Sequence, residues 1–230
     1  IGFSFHDEYN VFKGIIDDYD KWDFCQIQYN YMDINNQAGL KGLKYAASKG
    51  LGVIIMEPIR GGKLAGDPPE AIKELWNSAS VKRTPAEWAL QWVWNHPEVS
   101  LVLSGMSTME QVKQNIESAS RSRANGLSED EVNLVNKVRE TYKKLSPVGC
   151  TACNYCMPCP NGVNIPKNFA IYNESHMYNN YNESLRNYNN LNEGKASSCV
   201  ECGECETKCP QHLTIIDYLK DVRKYFKDAV

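Results

Sequence analysis

The chain has 230 residues, 42% of them hydrophobic and 23% charged, with a net charge of −3, which is enough apolar material for one large domain or two. The slight acidity and the lack of any long basic run speak against nucleic acid as a partner. No apolar stretch approaches the roughly 20 residues that a membrane-spanning helix needs, so no membrane partner is expected.

Residues 1–5 read as a short buried strand, and positions 8–17 place Val11, Phe12, Ile15 and Ile16 on one helical face. Residues 23–29 return to strand. Residues 37–49 follow as a helix, with Leu40, Leu43, Lys44 and Ala47 at helical spacing, and Gly50 stops it. Residues 52–56 are almost continuously apolar, as in a parallel strand covered on both faces. After Pro58-Ile59-Arg60-Gly61-Gly62-Lys63, Pro68-Pro69 open a helix that reaches Trp76. Thr84-Pro85-Ala86-Glu87 is a capping box with proline at the first helical position. It starts a helix carrying Trp88, Leu90, Trp92 and Trp94, which ends near His96-Pro97. Residues 100–103 form a fourth strand ending at Ser104-Gly105, and 109–119 the helix after it. Four strand–helix units in strict alternation predict a parallel α/β architecture. A polar break at 120–126 precedes a second capping box, Ser128-Glu129-Asp130-Glu131, and a helix with Val132, Leu134, Val135 and Val138. The expected divisions are 1–122, a connecting helix in 123–149, and a last domain at 150–230.

That last domain carries two cysteine runs, Cys150-x-x-Cys153-x-x-Cys156-x-x-Cys159-Pro160 and Cys199-x-x-Cys202-x-x-Cys205-x-x-x-Cys209-Pro210. Three cysteines at two-residue gaps followed by Cys-Pro is the spacing of iron–sulfur ligation, with three thiolates from one loop and the fourth from the other run. Two 4Fe-4S clusters are expected. Cys150, Cys153, Cys156 and Cys209 would hold one, and Cys199, Cys202, Cys205 and Cys159 the other. The Cys156–Cys159 gap is one residue shorter than its counterpart, which makes Cys159 the least regular ligand. Zinc needs only two cysteines per loop and leaves the third unexplained, and disulfides suit a small secreted scaffold. Residues 161–198, rich in Asn and Tyr, read as a helical pair whose tyrosines pack a small core rather than shield a cluster from water. A closing helix, Ile215–Phe226, completes a mostly α-helical, ferredoxin-like domain. Reduced, metal-bound thiols without a targeting segment lead us to expect a cytoplasmic protein.

Several stretches resemble the second half of an aldo/keto reductase: Ile1-Gly2-Phe3-Ser4, Gln26-Ile27-Gln28-Tyr29-Asn30, Met56-Glu57-Pro58-Ile59-Arg60-Gly61-Gly62-Lys63-Leu64, Pro85-Ala86-Glu87-Trp88-Ala89-Leu90, and Ser104-Gly105 through Gln114-Asn115. The resemblance covers residues 1–119, and the cysteine module resembles that of the iron–sulfur branch of the family. It implies the last four strand–helix units of a (β/α)8 barrel, which binds ligands at the C-terminal strand ends. NAD(P) is implied as cofactor, with Ser4 and Gln26 on the nicotinamide carboxamide. Phe5 replaces the family's asparagine, and Met56 replaces the tyrosine that stacks on the ring. Gly61 and Gly62, flanked by Arg60 and Lys63, would face the pyrophosphate. Gly105 would lie at a strand end and Asn115 on the adenine. Gln111 stands where an arginine often meets the 2′-phosphate, leaving NAD and NADP both open.

The family's catalytic Asp, Tyr, Lys and His belong to the first half of the barrel, so no catalytic residue is assigned here. The chain, which opens at Ile1, is expected to be part of a longer reductase. A missing half-barrel or a second copy would complete it, a small-molecule carbonyl compound would be its substrate, and a ferredoxin or flavoprotein its redox partner. The alternatives are a non-catalytic electron-transfer or docking module with the clusters as carriers or structural staples, and, for the fold, a self-sufficient flavodoxin-type sheet. Cys25 reads as a small core residue. His6 reads as a strand-end histidine without a visible partner, and Gln26 alternatively as a group satisfying the barrel backbone.

Overall fold

The computed structural model describes residues 1–228 and divides into two compact units, Ile1–Glu140 and Thr141–Val230. The division falls inside the segment expected to connect two domains. Among the described residues, no helix is long and apolar enough to cross a membrane.

The first unit alternates strand and helix: β1 (Gly2–Ser4), α1 (Tyr9–Asp17), β2 (Phe24–Gln28), α2 (Gly39–Ser48), β3 (Gly52–Met56), α3 (Glu70–Ser78), α4 (Pro85–Trp94), β4 (Leu101–Val102) and α5 (Met109–Ser120). The strands pair in parallel in the order β1-β2-β3-β4. Each strand therefore lies beside its predecessor, as in a barrel wall. A flavodoxin-type sheet reverses its order at a switch point, and this sheet has none. The fold is a partial (β/α)8 barrel followed by a helical domain.

Cys25, Ile27, Val53 and Ile55 are wholly buried beneath the helices. The residues alternating with them, Phe24, Gln26, Gln28, Ile54 and Met56, are only partly covered or exposed. The apolar run at 52–56, read as covered on both faces, is thus covered on one; its other face is the wall that would line a barrel interior. Aromatic packing fixes the helical layer. Trp76 and Trp88 stack at 5.1 Å and 10°, and the Arg83 guanidinium lies 4.3 Å from the Trp88 ring. Thr84 caps α4, its Oγ1 accepting from the Glu87 N–H at 3.1 Å.

Helix α6 (Glu129–Lys144) passes from the first unit into the second. There α7 (Ile165–Tyr178), α8 (Tyr181–Asn189), the single turn α9 (Glu204–Thr207) and α10 (Ile215–Phe226) surround a core that includes Val163, Ile165, Phe169, Tyr188, Leu219, Val222 and Phe226. Tyr188 stacks on Phe226 at 4.6 Å and donates its hydroxyl to Asp228 at 2.7 Å. Tyr172, Tyr181 and Tyr225 meet edge to face nearby. The tyrosines between the cysteine runs act by packing, as the bulk of an aromatic ring favours.

Candidate functional site

Three of the residues selected from sequence meet on one face of the first unit's sheet, two at strand ends and Gln26 in the middle of β2. Ser4 ends β1 in register with Gln26 of β2, and Met56 ends β3. The Gln26 amide nitrogen lies 3.5 Å from Ser4 Oγ and 3.6 Å from Met56 Sδ, so its partners are side chains rather than strand backbone. Contacts of this length are weak, and the hydroxyl and amide keep hydrogen-bonding capacity for a ligand amide. His6 Nε2 approaches Ser4 Oγ to 3.5 Å, which supplies the partner that the sequence did not reveal.

Beyond β3 the chain turns through Glu57, Arg60, Gly61 and Gly62, at φ of 51°, 51°, 61° and 93°. A Cβ at either glycine would meet open space, so glycine is needed there for its left-handed backbone rather than for clearance. Arg60, which flanks the two glycines, is held by Asp33, with Nε 3.2 Å from Oδ2. Asp33 Oδ2 also accepts from the Gln28 and Asn30 amides at 3.2 and 3.1 Å. Asn30 is fully buried. Its Oδ1 receives the Met32 and Asp33 N–H groups, each at 3.0 Å, and its amide donates to the Glu57 carbonyl at 3.1 Å. This clamp fixes the glycine turn to the end of β2. Sequence reasoning missed it, although Asn30-x-x-Asp33 directly after a strand is a side-chain-to-backbone turn pattern.

At the fourth strand end, Asn115 donates to Ser104 Oγ at 3.2 Å, and Gly105 has no protein atom within reach of a Cβ. Gln111 Oε1 accepts from the Ser107 and Thr108 N–H groups at 2.9 and 3.2 Å, so its carbonyl is committed to capping α5. Cys25 is a core residue, its thiol pushed up to about 12 by burial.

In the second unit the eight run cysteines are free thiols that line two cavities. Cys150, Cys153, Cys156 and Cys209 border one, with Ile165, Phe169 and Ile215. Cys159, Cys199, Cys202 and Cys205 border the other, with Ile165, Ile216 and Leu219, and Cys156 reaches both. No tyrosine lines either cavity. Among the described residues, no three Cys, His, Asp or Glu side chains are gathered as a single-ion site; the sulfurs instead surround cavity space, as ligands to separate irons of a cluster do.

The two runs repeat their backbone as well as their cysteines. Ala152 and Asn154 in the first, and Glu201 and Gly203 at the matching places in the second, have φ of 55°, 63°, 59° and 81°. Three residues beyond each Cys-Pro cysteine, Gly162 and His212 are again left-handed at 76° and 50°, and α7 and α10 then begin at Ile165 and Ile215. Left-handed residues within such loops turn amides toward one side and make a concavity that suits anionic groups. One amide already does so, Ala152 N–H donating to Cys150 Sγ at 3.4 Å. Burial raises the Cys156 thiol and pushes Cys205 up to about 11. Such thiols stay protonated until a metal replaces the proton. At least four cysteines at each cavity, apolar walls and the inward Ala152 amide fit iron–sulfur clusters.

Residues 1–140 match the aldo/keto reductase family, and residues 149–214 match the 4Fe-4S dicluster domain. L-galactose dehydrogenase from Arabidopsis thaliana is 28% identical over 137 residues, 52% of this chain and 41% of that protein. Among solved structures, an aldo-keto reductase from Bacillus halodurans in its holo form shares 21% identity at a TM-score of 0.48, over 60% of this chain and 49% of that one. Aldose reductase from Giardia lamblia shares 17% at 0.39, over 56% and 41%. The chain spans about half the length of these relatives or less.

Proposed function

The chain belongs to the aldo/keto reductase family and carries a 4Fe-4S dicluster domain, and from that premise we propose that it is the cofactor-binding half of an NAD(P)-dependent carbonyl reductase with two 4Fe-4S clusters. The observation that carries the nucleotide reading is the meeting of the Ser4, Gln26 and Met56 side chains on one face of three adjacent parallel strands, with Ser4 and Met56 at the C-terminal ends of β1 and β3, where barrels of this class place their ligands. Ser4 Oγ and the Gln26 amide hold and orient the nicotinamide carboxamide, and Met56 covers the ring with a soft apolar surface. The Gly61-Gly62 turn, braced by Asn30 and Asp33, presents backbone to the pyrophosphate, and Asn115 meets the adenine. Bound nicotinamide supplies the hydride for a carbonyl substrate. The proton that accompanies it comes from a group outside this chain's strand-end cluster, on a complementary half-barrel that pairs with the open edges of β1 and β4.

In the second unit, Cys150, Cys153, Cys156 and Cys209 hold one cluster and Cys159, Cys199, Cys202 and Cys205 the other. Bound clusters supply one-electron capacity. Ile165, Phe169 and Leu219 wall them on the core side, Cys153 and Cys202 face solvent, and the Ala152 amide steadies the Cys150 sulfur.

Fluorescence titration with NADPH and NADH tests the nucleotide site. Saturable binding is expected, and Gln26→Ala weakens it by roughly 1 kcal/mol, about fivefold, the size of one hydrogen bond. Absence of binding to the parent chain, or equal binding by the variant, would remove Gln26 from the site. Iron and sulfide analysis with an absorption spectrum of anaerobically purified protein tests the clusters independently.

A further inference from the structure

Helix α10 has two unlike faces. Ile215, Leu219, Val222 and Phe226 are buried in the core, and Ile215, Ile216 and Leu219 also line the cysteine cavities. On the other side Lys220, Arg223 and Lys224 follow the i, i+3, i+4 spacing of a single helical stripe, Lys227 caps the helix end in a left-handed conformation, and with Asp228 they border a recess open to solvent. Lys220 pairs with Glu201 at 2.8 Å, a residue between Cys199 and Cys202, so the cationic stripe starts at the rim of a cysteine loop. Among the described residues, no carboxylate lies within ion-pair distance of Arg223, Lys224 or Lys227, although the chain as a whole is acidic. Asp228, the one acid at the recess, accepts the Tyr188 hydroxyl.

The C-terminal helix dipole favours cations in its last turn, which accounts for Arg223 and Lys224 but not for the continuation of the stripe to Lys220 beside the cysteine loop. A cationic amphipathic helix can also lie on an anionic membrane by burying its apolar face. Here that face is already spent on the core. We infer that this face of α10 is a docking surface for an acidic one-electron carrier protein. Weak redox encounters bury small interfaces and depend on charge complementarity to align the partners. A positive stripe backed directly by cavity-lining residues sets such a partner close to the cysteine-lined cavities. The inference rests on the reading of the cysteines as cluster ligands.

The test uses the full chain reconstituted anaerobically with iron and sulfide, and flavodoxin, an acidic flavoprotein carrier, as probe. Association is measured by biolayer interferometry at low and high ionic strength. We expect binding that weakens with salt and falls about tenfold or more at low salt in the Arg223→Gln/Lys224→Gln/Lys227→Gln variant, with Lys224→Gln alone giving part of the loss. A control that replaces Lys41, Lys44 and Lys113 by Gln binds as the parent does. Unchanged flavodoxin binding by the triple variant at unchanged thermal stability overturns the proposal. So does an equal loss in the control, or salt-sensitive binding of phosphatidylserine vesicles without binding of flavodoxin. Iron and sulfide contents of the same samples separate a failure of the cluster reading from a failure of the docking surface.

Discussion

Tyr29 and His96 face each other inside the first unit, 67 residues apart in sequence, with the Tyr29 hydroxyl 3.2 Å from His96 Nε2. His96 Nδ1 lies 2.9 Å from the Trp92 carbonyl. A carbonyl only accepts, so Nδ1 carries the proton and Nε2 receives the tyrosine O–H. Burial lowers the His96 pKa below its usual range, and burial together with Glu98 raises that of Tyr29. The unfolded chain therefore takes up a proton near pH 6.5 that the folded chain refuses. Stability is full above that pH and declines as pH falls below it, toward the lower folded pKa. Tyr29→Phe leaves Nε2 buried without a donor and should cost about 1–3 kcal/mol, read by denaturant titration at pH 8. Full stability in Tyr29→Phe would mean that the hydrogen bond contributes nothing. Spacing rules do not find a pair this distant. Ser4 was legible as the last residue of a strand, and period-two alternation puts Gln26 on the face of β2 opposite the buried Cys25 and Ile27, whereas the Asn30–Asp33–Arg60 clamp emerges only once β2 and β3 are paired.

At the scale of elements, helix α6 shows one side chain fastening two structures. Glu131 Oε2 accepts the Ser128 N–H at 2.8 Å and closes the capping box read from sequence, while Oε1 pairs with Arg83 at 2.5 Å. Arg83 in turn covers Trp88 of α4. Burial of Glu131 opposes ionisation, but the Ser128 amide and the Arg83 guanidinium outweigh it and lower its pKa. Its contribution is therefore present above the unfolded pKa, roughly 4.3, and is lost as pH falls through the folded value. Glu131→Gln keeps an acceptor for Ser128 and loses the charge pairing, an expected cost of about 1.5–3 kcal/mol at neutral pH that vanishes in acid. Glu131→Ala adds about 1 kcal/mol for the cap. Thermal melts from pH 3 to pH 7 (about the range that brackets that pKa) separate the two, and a Glu131→Gln deficit that persists undiminished at the acid end would contradict the pairing. Helices were legible from caps and periodicity. The hydrophobic run at 52–56 carries no mark of whether a second layer covers it, and the sequence alone left the open face of β3 unseen.

At the scale of the molecule, the chain joins a barrel wall with open edges to a domain built by repetition. The repeat, cysteine loop, Cys-Pro, left-handed turn and helix, was legible as cysteine spacing. That it extends to matching backbone conformations at Ala152 and Glu201, and at Asn154 and Gly203, was not, because φ is not written in residues that are mostly not glycine. One cavity takes Cys150, Cys153 and Cys156 from the first repeat and Cys209 from the second, and the other takes Cys199, Cys202 and Cys205 from the second with Cys159 and Cys156 from the first; clusters held as proposed would be stitched across the repeats, and paired variants would expose the stitching. The parent chain should hold about eight irons, and Cys159→Ser or Cys209→Ser about half of that, one cluster having lost a thiolate. Cys159→Ser combined with Cys202→Ser removes two ligands from the same cavity and should still leave about four irons. Cys159→Ser combined with Cys153→Ser strips a ligand from each cavity and should leave few or none. If each run instead held its own cluster, the outcomes would exchange: the Cys159/Cys153 pair would spare one cluster and the Cys159/Cys202 pair would spare neither. Iron analysis of the five proteins, purified anaerobically side by side, decides between the crossed and the uncrossed arrangement.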